Sequence, residues 1–316
     1  MAFISTTEMN ALTERNLRRS IIDQRFASAT MLGIFRGKKR LKLEEGGSII
    51  AQPILSQINQ TAQSYSGADV LNGTAQEEFT EYEIPWKQAT VSVVVTGMDR
   101  ERNNGRFQSI NLVKNKQESA LLALFNLLAN FVFANGTGNV GKDWDGFLGA
   151  INNTAGFANY LGVDRASNPW FQAQILNPGA PTPISAGNMM TLFMATKTDE
   201  EVIDCISGTK AGYQQYWSLL TPGERYVDDV IGNLGFSNIA FQGKAVVEDS
   251  HNPSGQMFFW NLEHARMFVH RNKNFVWRPF QEPDNQDIQI GRWIVYGNFE
   301  LRKPASCGVY QNILNG

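Results

Sequence analysis

The chain has 316 residues, with 28 Lys+Arg against 30 Asp+Glu and a net charge of -2. That balance argues against a whole molecule built to bind a polyanion, and the length leads to an expectation of about two domains. Only 18% of the residues are charged while 28 are Asn and 19 are Gln, so much of the polar surface must be uncharged.

Cys205 and Cys307 allow at most one disulfide, and the N-terminus lacks a basic region, apolar run and cleavage site. A reduced, intracellular origin is therefore expected. The apolar run from Ala120 to Ala134 is broken by Asn126 and Asn130 and is shorter than the roughly 20 residues a membrane helix needs. No membrane span is expected.

Charge is unevenly distributed along the chain. Residues 1–43 carry nine bases and three acids, net +6, and residues 44–316 carry -8. Residues 44–83 contain seven acids and no base. The basic part predicts a helix from about Thr7 to Phe26, with Ala11, Leu12, Ile22 and Phe26 on a sparse apolar stripe. An Ile/Leu/Gln-rich run follows Gly46-Gly47 and ends near Ile58; a polar stretch then extends to Thr80. From Ala89 the sequence alternates, with Ala89, Val91, Val93 and Val95 on one face. Together these predict two long strands joined by a long loop, a hairpin reaching away from the body. Pro53 and Pro85 suit edge positions in it.

Residues 106–135 predict the longest helix: Ile110, Val113, Ala120, Leu121, Leu124, Leu128, Phe131 and Val132 recur at spacings of three and four. Thirty residues would span about 45 Å, and Asn135-Gly136 is a suitable stop. A Gly/Asn/Pro-rich segment, 136–183, is anchored by Trp144, Phe147, Tyr160 and Trp170. Helices are expected at 185–196 and 213–220, around a buried strand at 201–207. Strands are expected at 257–260, 266–270, 275–280 and 292–301, with Arg271-Asn272-Lys273-Asn274 as a hairpin loop.

Catalytic patterns are weak. Gly136-Thr-Gly138-Asn-Val-Gly141-Lys142 satisfies a dinucleotide pattern and most of a phosphate-loop pattern. However, a helix precedes it where a strand is needed, and Asp143 stands where a Mg-binding hydroxyl belongs. His251, His264 and His270 lack metalloprotease spacing. Cys307 carries no sign of activation, and no G-x-S-x-G occurs. Asp228-Asp229 and Glu200-Glu201 read as solvated loop charge. The cluster Arg36, Lys38, Lys39, Arg40 and Lys42 fits either phosphates or acidic surfaces of a neighbouring copy. With only Phe35 nearby, it lacks stacking partners for single-stranded nucleic acid.

Three motifs carry a resemblance. They are Gly46-Gly-Ser-Ile-Ile-Ala-Gln-Pro-Ile54 leading to Tyr65-Ser-Gly-Ala-Asp69; Tyr82-Glu-Ile-Pro-Trp-Lys-Gln88; and Leu161-Gly-Val-Asp-Arg165 followed by Asn168-Pro-Trp170. In this order around the long helix, the chain resembles the tailed-phage major capsid proteins of the HK97-like fold. The resemblance implies an α+β protein with an N-terminal arm (1–46), an extended hairpin loop (47–97) and a peripheral domain (98–185 and 263–302) around a spine helix (106–135). It also implies an axial domain (186–262) and a C-terminal segment (303–316).

By the same resemblance the chain is expected to self-assemble as pentamers and hexamers into an icosahedral shell around packaged double-stranded DNA. Its location would be the virion, after assembly in the host bacterial cytoplasm. Expected partners are further copies of itself, a separate scaffolding protein, a portal and a cement protein. No catalytic residue, metal or cofactor is expected. Intersubunit contacts are expected at Ile49, Ile54, Leu55, Glu77, Glu78 and Glu81. Nonspecific DNA or intersubunit contacts are expected at Arg18, Arg19, Arg36, Lys38, Lys39 and Arg40. No lysine lies between Glu44 and Trp86, and Lys87 falls near the base of the hairpin, so noncovalent rather than isopeptide-locked shells are expected. Two alternatives stay open: an encapsulin-like compartment enclosing a cargo protein, and a nucleotide or phosphate-ester enzyme using Gly136–Lys142.

Overall fold

The computed structural model describes residues 30–102, 112–152, 159–197, 200–220 and 238–314. The helix expected over Thr7–Phe26, with Arg18 and Arg19, lies outside these residues, as does Asp228-Asp229. In chain order the first elements are α1 (Thr30–Gly37), β1 (Leu41–Glu44), β2 (Ile49–Leu55), β3 (Phe79–Pro85), β4 (Lys87–Thr96), α2 (Gly97–Arg102) and α3 (Leu112–Val132). After α4 (Phe147–Ile151) come β5 (Asn159–Tyr160), β6 (Val163–Asp164), β7 (Gln174–Leu176), α5 (Ala186–Thr196), β8 (Cys205–Gly208) and α6 (Lys210–Leu219). The remainder is β9 (Asn238–Phe241), β10 (Lys244–Glu248), β11 (Met257–Trp260), β12 (Ala265–His270), β13 (Val276–Gln281), β14 (Ile288–Leu301) and β15 (Gly308–Tyr310).

The chain divides into two compact units, with boundaries inside β4, α3, β13 and β14. The described residues of the smaller unit are 90–102, 112–125 and 277–294. There β14 pairs with both β13 and β4. Trp277 packs against Phe280 and Trp293, with ring centroids 5.4 and 5.2 Å away. Gly291 makes room for this cluster, because a Cβ there would stand 2.3 Å from the Trp277 ring. The backbone N–H of Asp99 donates to Thr96 Oγ1 at the start of α2. Hydrogen bonding with Thr96 and Lys116 holds the Asp99 carboxyl below its usual range.

Among the described residues the larger unit holds two larger sheets besides the two-stranded pairs β2–β3 and β5–β6. In the first, β1 runs parallel to β12, with Leu41 opposite Met267, and β12 runs antiparallel to β14, with Ala265 opposite Leu301. The second has six strands in the order β7-β15-β11-β8-β10-β9. β8 and β11 are buried at every position, as expected for strands covered on both faces. Met189 and Leu192 of α5, Tyr216 of α6, and Ile206, Val246, Met257 and Phe259 of the strands share one apolar cluster.

Residues 30–44 pack into this unit. Met31, Ile34 and Phe35 recur at helical spacing on α1, and all three are buried. The Phe35 ring stacks on Phe147 at 5.3 Å and meets Trp260 edge-on at 6.3 Å. The Leu161–Arg165 motif also acquires a structural meaning. Arg165, buried, donates to the carbonyls of Gly149, Ala150 and Asn152 at 2.6–2.9 Å, satisfying groups that the end of α4 leaves open.

Two expectations are corrected. The hairpin partner of β2 is β3, Phe79–Pro85, whereas the alternating run 89–96 belongs to β4 and pairs with β14. The return strand was obscured by Glu81 and Glu83, which occupy the outward half of a period-2 pattern whose inward half is Thr80, Tyr82 and Ile84. Secondly, Arg271–Asn274 does not close a hairpin: Arg271–Lys273 is a short 3₁₀ turn, and β13 pairs with β14 instead of β12. The described part of the long helix is Leu112–Val132, about 30 Å at 1.5 Å per residue. Past its end, Gly136 takes φ +76°.

Candidate assembly interface

The β2–β3 hairpin presents two different faces. Antiparallel register places Gln52 opposite Tyr82, Pro53 opposite Glu81 and Leu55 opposite Phe79. Side chains alternate along each strand, so Ile50, Gln52, Ile54, Thr80, Tyr82 and Ile84 share the inward face. Ile49, Leu55, Phe79, Glu81 and Glu83 lie on the outward face and are exposed. Beyond the strands, Ser56 N–H donates to Glu78 O at 2.8 Å and Gln57 Nε2 to Glu77 O at 2.7 Å, extending the pairing towards the loop. Phe79 is 69% exposed, Leu55 54% and Val70 94%, so the hairpin and its connecting loop carry apolar side chains that the described residues do not cover.

The root of the hairpin is polar and tightly bonded. Tyr82 Oη donates to Glu300 Oε1 and also lies 3.2 Å from Gln52 Oε1. Glu300 is fully buried, and its Oε2 has no hydrogen-bond partner among the described residues. Burial pushes its carboxyl up to about 7; Arg302, 3.6 Å away, opposes the shift and Glu44 adds to it. Immediately after the hairpin, Lys87 Nζ pairs with Asp145 Oδ1 at 2.6 Å and donates to the carbonyls of Asp143 (2.6 Å) and Gly136 (3.4 Å). Asn298 completes the lattice. Its Nδ2 donates to Pro85 O at 2.9 Å and to Asp145 Oδ2 at 2.8 Å, and its Oδ1 accepts from the Asp145 N–H at 2.8 Å.

The expected contact residues fall in different settings. Ile49, Leu55, Glu77 and Glu81 are exposed; Ile54 is half-buried on the inward face; Glu78 is half-buried, with Asn59 Nδ2 2.5 Å from its Oε1. Arg36 and Lys39 are exposed, Lys38 pairs with Asp204 at 3.1 Å, and Arg40 is half-buried beside β12. Tyr82, Asn298 and Glu300 were missed as site residues. Tyr82 stood in a quoted motif, but its partner is 218 residues away, a separation that local pattern does not reveal.

The other candidate chemistries do not assemble. Gly136–Lys142 follows α3 and contains a single turn, Gly138–Gly141, with Asn139 and Val140 in left-handed conformation. No strand precedes it and no helix long enough to focus on a phosphate follows. The loop is strapped by Lys87 instead. His251 lies 3.1 Å from Asp249 Oδ1 and 2.8 Å from Asn126 Oδ1; His264 lies 3.0 Å from Glu201 Oε2; and His270 packs against the Trp86 ring. Among the described residues no group of three or more His, Cys, Asp or Glu side chains is arranged to hold a metal, and no helix is long and apolar enough to cross a membrane. Cys205 and Cys307 are buried and unbridged, and burial pushes the Cys307 thiol up to about 12.

The fold is the HK97-like capsid fold, as the likeness to solved structures shows. Among solved structures, the chain is similar to the capsid asymmetric unit of cyanophage A-1(L), at TM-score 0.69 and 14% identity, covering 96% of this chain and 98% of that one. It is also similar to the capsid of a native GTA particle, at TM-score 0.67 and 10% identity over 97% of both chains. The SrpI encapsulin of Synechococcus elongatus aligns at TM-score 0.62 and 8% identity, over 98% of this chain and 95% of that one. No protein-family model and no curated protein sequence matches the chain.

Proposed function

We propose that the chain is the major capsid protein of a tailed bacteriophage, associating as pentamers and hexamers into an icosahedral shell around packaged double-stranded DNA. The observation that carries this reading is the hairpin. It is fixed at its root by Tyr82, Lys87 and Asn298 yet exposes Leu55, Phe79 and a line of glutamates beyond the reach of its own core. A rigid, uncovered projection gains its apolar burial from another copy, at about 25 cal/mol per Å² removed from water. The near full-length likeness to phage and GTA capsids supports the same reading.

Scaffolding, portal and cement proteins would be separate chains, and the shell would be held noncovalently, since Lys87 is already engaged at the hairpin root. The segments 98–185 with 263–302, and 186–262, would serve as peripheral and axial domains. The basic residues Arg36 and Lys39 would be available to phosphate or to neighbouring subunits. Assembly would take place in the host cytoplasm. The test is nuclease treatment of purified particles followed by extraction: protected DNA is expected, and particles holding only protein would contradict the phage reading.

A second reading is favoured by one observation, the likeness to an encapsulin: a shell enclosing a cargo protein. Protein cargo co-purifying in place of DNA would select it.

A further inference from the structure

Three arginines converge beside the hairpin root. Arg40 immediately precedes β1, and its carbonyl accepts from the Met267 N–H at 3.0 Å, which sets it next to Arg266 on β12. Arg266 stands opposite Glu300 in the β12–β14 register, and Arg302, just past the end of β14, lies with its Nε 3.6 Å from Glu300 Oε1. Burial, then the proximity of Arg302 and of Arg40, lowers the Arg266 guanidinium from its ordinary value. The Nε atoms of Arg40 and Arg266 are buried without a hydrogen-bond partner among the described residues. Among the described residues the three guanidiniums make one ion pair, Arg302 to Glu300 at 3.6 Å, and that carboxyl is only partly charged near neutrality. Glu263 faces Arg266 and Glu44 faces Glu300, but both are exposed and neither bonds to the three arginines. The cluster therefore has excess positive charge and unused donors.

We propose that Arg40, Arg266 and Arg302 form a carboxylate socket for the Glu77–Glu81 edge of the hairpin of a second copy of this chain. The inference rests on the shell reading above and names the docking site within it. The hairpin of the same copy cannot serve: Tyr82 occupies its inward face against Glu300, and alternation directs Glu81 to the opposite face. Residues 44–83 carry seven acids and no base, and the exposed side chains of Glu77 and Glu81 make no ion pair among the described residues. The guanidinium fork matches a carboxylate in a bidentate pair. Phosphate would satisfy the same donors. However, Glu77 and Glu81 flank the exposed Leu55–Phe79 pair, a mixed apolar and acidic surface suited to a protein partner.

The test is carbodiimide coupling of assembled, nuclease-treated particles of the Arg302→Lys variant, grown as a mixture of ¹⁴N and ¹⁵N chains. The expected product is a mixed-isotope peptide pair joining position 302 to residues 74–83, reduced at least tenfold when Glu77→Gln and Glu81→Gln are added. Particles in which position 302 couples only within its own copy, or to none of these residues, overturn the inference and leave the shell reading intact. Photocrosslinking of the arginine cluster to polynucleotide in untreated particles would likewise overturn it in favour of phosphate. A chain that never associates, seen by sedimentation before coupling, would overturn the shell reading and this inference with it.

Discussion

Lys87 and Asp145 meet at 2.6 Å, with the lysine side chain 14% exposed, just past the end of the hairpin. Each also bonds further: Lys87 to the carbonyls of Gly136 and Asp143, Asp145 to Asn298. Removing one partner would strand a largely buried charge. Lys87→Met is expected to cost about 1–3 kcal/mol of subunit stability, discounted for the remaining exposure. The double variant Lys87→Met with Asp145→Asn should recover part of that loss. Denaturant midpoints of both single variants and of the double variant decide it, and losses that simply add would mean that the pair is not coupled.

Glu300 supplies a pH dependence of defined sign. Its folded pKa of about 7 lies above the ordinary value of 4.5, so the folded state holds a proton that the unfolded state has released between those limits. The contribution of Glu300 is therefore most favourable below about pH 4.5 and declines as pH rises through 7, by about 3 kcal/mol in full. Glu300→Gln should stabilise the chain relative to wild type at pH 8 and match it near pH 5. Denaturation curves at the two pH values give the difference directly. A variant less stable than wild type at pH 8 would show that the charged form is preferred.

At Gly297 an added Cβ would stand 2.2 Å from Phe268 O and 2.7 Å from the Trp144 ring. Both neighbours are held, one in β12 and the other in the packed core beside Phe131 and Phe299. Gly297→Ala is expected to destabilise by about 3 kcal/mol or more, through overpacking. Thermal unfolding checks this; an unchanged midpoint would mean that the strands can separate at little cost.

The sequence pattern revealed the strands it could report locally. Met257–Trp260 is recovered residue for residue, and α5 begins and ends within one residue of its expected limits. Of the alternating face Ala89, Val91, Val93 and Val95, three residues are buried and Val91 is half-buried. Pairing was less legible, because strand partners are chosen by tertiary packing. A run of valines gave no sign that β4 would join β14, or that Phe79–Pro85 would fold back on β2. The Ile-rich run after Gly46-Gly47 was legible as one strand of a hairpin, but its partner was read as the run from Ala89 instead of Phe79–Pro85. The hairpin's attachment through Tyr82, Asn298 and Glu300 depends on residues more than 200 positions apart, beyond the reach of any periodicity.

The outward face of the hairpin separates folding from assembly. Leu55→Ser with Phe79→Ser removes apolar surface that is already exposed, so the isolated subunit should keep its stability within about 0.5 kcal/mol. Association between copies should fall sharply. Circular dichroism melting and sedimentation velocity together make the distinction, and normal assembly of this variant would remove Leu55 and Phe79 from the interface.

Burial of the Cys307 thiol, at a pKa of about 12, predicts chemical silence. Neither it nor Cys205 should react with a thiol-specific disulfide reagent in the native protein at pH 8, and both should react in denaturant. Rapid native labelling would indicate opening of the six-stranded sheet.

Electron microscopy of the purified chain, expressed alone and with the structural genes that accompany it, addresses the central claim most directly. Closed shells of uniform diameter with fivefold and sixfold clusters of subunits are the expected result. A population of single compact molecules under both conditions, with the hairpin folded back on its own unit, would contradict it.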